Sequence, residues 1–223
     1  MGMLIRTISI LALLAGLTLA QNAPLGKGQI LILIGAPGSG KTVQAKGLSK
    51  RYKIPAITLA ELSAALGAHV EKTLKAESGL ASGEFVGDEN AIGLIAGRVM
   101  SPDCANGFIL DGFPVNATQA KYLDSFVRDN KYPRPRVVVL EIPDDVAKAR
   151  MVRRKRVDDT PANIDKRLAA YRQEYKFLEE WYKPEHMVKV DGTGTPQQVQ
   201  KAIEEGLTES FSQKGLKARP AAK

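Results

Sequence analysis

Gly35, Gly40, Lys41 and Thr42 fit the pattern G-x-x-x-x-G-K-[ST], within the run Gly35-Ala36-Pro37-Gly38-Ser39-Gly40-Lys41-Thr42. Glycines let backbone N–H groups converge on an anion without side chains in the way. A helix start directly after them adds unpaired N–H groups and a positive dipole end. Lys41 can reach terminal phosphates, and the Thr42 hydroxyl can ligate Mg²⁺. Asp111, in Asp111-Gly112-Phe113-Pro114, is an acid at the end of an apolar run, suited to holding Mg²⁺ or its waters. Arg150 and Arg154 are four apart and share a helix face; Arg156 and Arg167 follow. A phosphoryl group in transfer needs cations on its oxygens, and arginine offers a rigid planar fork. Asp158 and Asp159 either orient these arginines or favour the following helix start. Asp191-Gly192-Thr193-Gly194 either sets backbone carbonyls against a base or is a plain turn. Together these residues point to phosphoryl transfer.

The elements that must position them alternate. Apolar runs predict strands at Gln29–Ile34, Ala56–Thr58, Gly107–Leu110, Arg136–Glu141 and Met187–Val190. Helical patterns lie near 42–52, 59–66, 68–78, 88–101, 116–130, 143–155, 161–183 and 195–211. Thr160 and Pro161 form a cap and first turn, Ile164, Leu168, Tyr171, Leu178 and Trp181 recur at helical spacing, and Pro184 ends the segment. Strands alternating with helices predict an α/β fold: a P-loop three-layer sandwich with a central five-stranded parallel sheet and helices on both faces. The chain of 223 residues suits one such domain.

Residues 1–20 read differently. Arg6 precedes an apolar stretch from Ile8 to Leu19 that ends in small residues, and no acid occurs before Glu61. This describes a secretory signal peptide cut after Ala20, too short for a membrane span of about 20 apolar residues. The expected location is therefore exported, periplasmic or secreted, with a cytoplasmic or membrane-anchored protein as the alternative. The net charge of +8 becomes +7 without Arg6. Its basic residues cluster at 150–156 rather than interleaving with aromatics, so a polyphosphate explains them better than nucleic acid. The single cysteine, Cys104, excludes an intrachain disulfide. His69 and His186 lack metal-ligand spacing. The end, 213–223, reads as a basic tail.

The assembled residues resemble the adenylate kinase family of nucleoside monophosphate kinases over about residues 29–205. The resemblance rests on GAPGSGKTVQA at 35–45, IPAITLAEL at 54–62, GEFVGDE at 83–89, GFILDGFP at 107–114 with Gln119, RVDD at 156–159, KRL at 166–168 and KVDGTG at 189–194. It implies Mg²⁺-dependent, reversible transfer of the γ-phosphoryl of ATP to a nucleoside monophosphate, AMP first, by a monomer. It implies that Gly35, Ala36, Pro37, Gly38, Ser39, Gly40, Lys41 and Thr42 cradle ATP, with Arg150 and Gly194 near it. Lys41, Arg154, Arg156 and Arg167 would be catalytic, and Thr42 and Asp111 would serve the metal. Glu84, Phe85, Val86, Gly112, Phe113, Pro114, Gln119, Arg156 and Arg167 would bind the acceptor, with Gln119 reading its base. The domain then spans 21–212, with an acceptor segment at 57–87 and a vestigial lid at 151–160.

This sequence departs from the family pattern in places. Thr42 follows Lys41 without the usual intervening glycine, and the family's Ser-Thr-Gly-Asp reads Thr58-Leu59-Ala60-Glu61. Ala64 and Val115 stand where acceptor-phosphate arginines are expected, and the segment from Arg150 to Arg156 is short for a lid. Two alternatives follow: a non-catalytic ATP-binding protein with a degenerate acceptor site, or a kinase for another small metabolite.

Overall fold

The computed structural model describes residues 28–65, 88–156 and 159–213. The predicted signal peptide, the predicted helix at 68–78, His69 and residues 214–223 of the predicted tail lie outside them. Five strands form one parallel sheet: β1 (Gln29–Gly35), β2 (Ala56–Thr58), β3 (Gly107–Asp111), β4 (Arg136–Glu141) and β5 (Met187–Asp191), in the order β2-β3-β1-β4-β5. The helices are α1 (Lys41–Tyr52), α2 (59–65 in its described part), α3 (Asp88–Val99), α4 (Ala117–Asp129), α5 (Asp144–Arg154), α6 (Pro161–Tyr182) and α7 (Pro196–Gln213). The chain is thus the α/β sandwich expected from the alternating pattern.

The unbroken apolar run of β1 has a simple cause: both of its faces are covered. Ile30, Ile32 and Ile34 join Phe108, Leu110, Val137 and Val139 on one face of the sheet, with Leu123, Phe126, Leu178 and Tyr182 from α4 and α6. Leu31 and Leu33 join Ile109, Val138 and Leu140 on the other, with Leu48 from α1 and Val199, Ile203 and Leu207 from α7. Alternation along the strand therefore separates two cores rather than core from solvent. Each fully buried large apolar side chain contributes about 1.5–3 kcal/mol, which makes the central strands a rigid base.

Most boundaries shift by one residue, and two helix ends shift by two. Helix α3 ends at Val99, and a 3₁₀ turn at Pro102–Cys104 leads into β3. Pro102 cannot continue a helical hydrogen-bond ladder, which sets that stop. Helix α7 runs to Gln213, slightly beyond the predicted 211.

The strand order matters for function. From β1 the chain moves first toward β2 and β3, and later crosses to β4 and β5 on the other side. A crevice opens at such a reversal, beyond the carboxyl ends of the strands. The glycine-rich loop leaves β1 at that point.

Candidate active site

Backbone geometry shapes the loop after β1. Gly38 and Gly40 have φ of 86° and 93°, in the left-handed region that glycine tolerates. A Cβ on Gly38 would meet the Ala147 carbonyl of α5 at 2.8 Å, whereas one on Gly40 would enter open space. The loop is therefore pressed against α5 on one side and clear on the other, as a phosphate cradle must be. Ala36 packs with Ala147, Met151, Ile164 and Leu168. This small apolar cluster fixes the arginine-bearing helices α5 and α6 against the loop.

Lys41 opens α1, and its ammonium donates to the carbonyls of Gly35 and, at 3.1 Å, Ala36. Burial of this group lowers its pKa, opposed by the charges of Asp111 and Glu174 and aided by Arg154. The Thr42 hydroxyl donates to Asp111 Oδ2 at 2.6 Å, and Asp111 is 3 % exposed at the end of β3. The two predicted metal ligands, 69 positions apart in sequence, thus meet directly. A hydroxyl and a carboxylate are hard oxygen donors of the kind Mg²⁺ takes. Among the described residues no three His, Cys, Asp or Glu side chains converge for a metal. The Ser39 hydroxyl is buried in the loop without a hydrogen-bond partner, a polar atom that suits a ligand there.

The arginines separate by role. Arg154 donates to Asp159 through Nε at 2.6 Å and Nη2 at 2.8 Å, and Arg167 donates to the same carboxylate at 2.9 Å. The Asp159 side chain is only 1 % exposed. Its hydrogen bonds from Arg154, then the charges of Arg154 and Arg167, hold its pKa below the usual carboxylate range. Of the two roles open to the acidic pair, Asp159 therefore orients arginines; Asp158 lies outside the described residues. The capping role falls to Thr160, whose Oγ1 accepts from Asn163 N at 3.3 Å. Lys155 ends α5 with φ of 52°, and the Asp159 N–H donates to the Arg156 carbonyl at 3.0 Å.

Arg150 takes a different direction. It donates to the carbonyls of Gly192 at 2.8 Å and Thr193 at 2.9 Å, and lies 3.5 Å from that of Gly38. It ties the turn after β5 to the glycine-rich loop. Asp191 Oδ1 accepts from Thr193 N at 2.8 Å, so that turn has its own internal bond just before Gly194. Arg156 is exposed, and its side chain makes no ion pair with another described residue.

On the other side of β1, Gly112 has φ of 81° and open space where a Cβ would stand. Phe113, 1 % exposed, belongs to the core with Pro114 buried beside it; they offer a ligand backbone rather than side chain. Gln119 is 2 % exposed. Its Oε1 accepts from Val115 N at 2.9 Å and its Nε2 donates to Asp88 Oδ1 at 2.9 Å. Ala64 is exposed and Val115 half-buried. Glu84, Phe85 and Val86 lie outside the described residues.

Two participants escaped the sequence reading. Glu174 is half-buried, with its pKa raised by burial and lowered in turn by Lys41. It lies seven positions after Arg167, two helical turns along one face, and that spacing was the available signal. Asp88 lies within GEFVGDE and opens α3, and neither fact gives it a partner.

A family model described as "Adenylate kinase" matches residues 33–187. A protein from Xanthomonas campestris pv. campestris (strain B100) named "Adenylate kinase" is 36% identical over 183 residues, covering 79% of this chain and 98% of its own length. One of the same name from Rhodococcus erythropolis is 35% identical over 170 residues, covering 76% and 93%. Another from Leptospira biflexa is 34% identical over 179 residues, covering 78% and 96%.

Proposed function

The chain belongs to the adenylate kinase family, and on that premise we propose that it transfers the γ-phosphoryl of ATP to AMP with Mg²⁺ held at Thr42 and Asp111. It is a phosphotransferase acting on a nucleoside monophosphate; the donor, the acceptor and the metal are the proposed part. The observation that carries the reading is the hydroxyl–carboxylate pair of Thr42 and Asp111, 2.6 Å apart beside the Lys41 ammonium.

The residues divide the work. The Gly35–Thr42 backbone receives the triphosphate in the space left clear at Gly40. Lys41 exchanges its loop carbonyls for phosphate oxygens, acceptors about twice as strong because they are charged. Arg154 and Arg167, held by Asp159, supply positive charge to the group in transfer. An acceptor phosphate oxygen attacks the γ-phosphorus, a new P–O bond forms, and the bond to the β-phosphate oxygen breaks to release ADP. Mg²⁺, when bound, neutralises charge on the transferring phosphates. Arg150 holds the turn at Gly194 in reach of the donor base. Gln119, beyond the end of β3, stands at the acceptor base.

The direct test is a coupled assay of diphosphate formation from ATP, Mg²⁺ and a panel of nucleoside monophosphates. AMP is expected to be the best acceptor. Product no higher than that of a Lys41→Ala control would overturn the reading.

The compartment is a further part of the proposal. The basic start and brief apolar stretch of residues 1–20 support export with cleavage after Ala20. The mass of the protein isolated from its own cell fraction tests this: a chain beginning at Met1 in the cytoplasm would exclude it.

A further inference from the structure

We propose that Asp88 is a positioning residue that locks the Gln119 carboxamide in one sense, so that the acceptor pocket distinguishes 6-aminopurine from 6-oxopurine monophosphates. The inference rests on the reading of Gln119 as the residue at the acceptor base.

A carboxamide looks nearly symmetric in shape but not in chemistry: one end accepts and the other donates. Left free, it can turn over and meet either a donor–acceptor edge or its reverse. Adenine presents an amino donor at C6 beside the N1 acceptor. A 6-oxopurine presents the opposite order, an acceptor at C6 beside an N1–H donor. A side chain free to turn over reads both.

Gln119 is not free. The Val115 N–H points at Oε1 from 2.9 Å, and Asp88 Oδ1 accepts from Nε2 at 2.9 Å. Turning the amide over would set its N–H groups against the Val115 N–H and its oxygen against a carboxylate, which as an anion offers acceptors only. Both clashes would occur at a residue 2 % exposed, where water cannot relieve them. The arrangement is braced a second time. Asn116 Nδ2 donates to the same Asp88 oxygen at 2.7 Å, while Asn116 Oδ1 accepts from the Gln119 backbone N–H at 3.0 Å and caps α4. One carboxylate oxygen at the start of α3 therefore fixes two carboxamides, one on the cap of α4 and one in its first turn. Among the described residues one Nε2 hydrogen and one Oε1 lone pair are used, so whatever a base meets at the carboxamide comes in fixed order.

Two experiments test this. In the free protein, the side-chain N–H pair of Gln119 (assigned by its loss in Gln119→Leu) is expected to be protected from hydrogen exchange. Asp88→Ala should abolish that protection, and Asp88→Asn, whose amide can itself accept or donate, should reduce it. In the kinase assay, wild type is expected to favour AMP over IMP in kcat/KM by roughly a hundredfold, and Asp88→Asn to cut that ratio about tenfold, chiefly by accelerating IMP. Asp88→Glu should restore preference, which a merely structural loss would not permit. An unprotected wild-type amide overturns the clamp, whether or not any nucleotide turns over. So does an unchanged AMP to IMP ratio in a folded Asp88→Asn protein. A protected amide in a protein that phosphorylates no monophosphate instead sinks the acceptor reading while upholding the clamp.

Discussion

The two sides of β1 are built on different principles. Toward β4 and β5, the side proposed for the donor joins a glycine-rich loop, Lys41 and three arginines whose partners include backbone carbonyls and the buried carboxylate of Asp159. Toward β3 and β2, the acceptor side has no arginine at Ala64 or Val115, and its polar order rests on neutral amides gathered by Asp88. The Thr42–Asp111 pair stands where they meet. The donor side is rich in fixed cations suited to phosphate. The acceptor side is rich in directional hydrogen bonds suited to a base. On the proposed reading, grip on charge and discrimination of shape fall to separate halves of one crevice.

The comparison can be broken most forcefully at Lys41. Lys41→Ala is expected to lower kcat/KM for ATP by about a thousandfold, the scale of removing a preorganised charge from such a site. Steady-state kinetics with a melting control measure it.

Asp159 comes next. Asp159→Ala leaves two arginines without their shared anchor, and misplacement of such groups costs about a hundredfold in kcat. The same residue gives a pH signature. Its native pKa lies below the ordinary value, so it stabilises the fold at pH above the unfolded pKa of about 3.9. That contribution is lost as pH falls through the lower native value. Thermal melting of wild type and Asp159→Asn should therefore differ most near neutrality and converge in strong acid.

On the acceptor side, Val115→Arg adds the missing cation. A charge-assisted hydrogen bond contributes about 1.5–3 kcal/mol, so KM for AMP should fall by roughly tenfold to a hundredfold. An unchanged KM would mean that this side does not hold the acceptor phosphate near residue 115.

The smallest effect concerns the surface link between the halves. Lys46 on α1 and Glu61 on α2 form an ion pair at 2.9 Å, with side chains 61% and 57% exposed. Solvent screens such a pair, so Glu61→Gln should change stability by less than about 1 kcal/mol, as denaturant titration would measure.

Legibility in the sequence divides along the same line. The phosphate loop is contiguous, and its chemistry follows from residue types at fixed offsets, so Gly35 to Thr42 could be read directly. Arg150 and Arg154 were legible as a pair four apart on one helix face, with Arg167 following, but their different partners were not. Nothing in the spacing tells that Arg150 binds the carbonyls of Gly192 and Thr193 while Arg154 grips Asp159. Glu174 carried no motif, and Asp88, although it lies within GEFVGDE at 83–89, showed no role there, because each gains its meaning from residues brought in from another element.

The apolar runs and glycine spacing alone determined the parallel sheet, its alternating helices and the anion-binding loop, since hydrophobic burial and backbone sterics act locally and repeat along the chain. Tertiary structure alone decided which carboxylate meets which cation and which amide is held still. Hydrogen bonds and charges act over a few ångströms, and residues as distant in sequence as Thr42 and Asp111 reach that range only when strands β1 and β3 lie side by side.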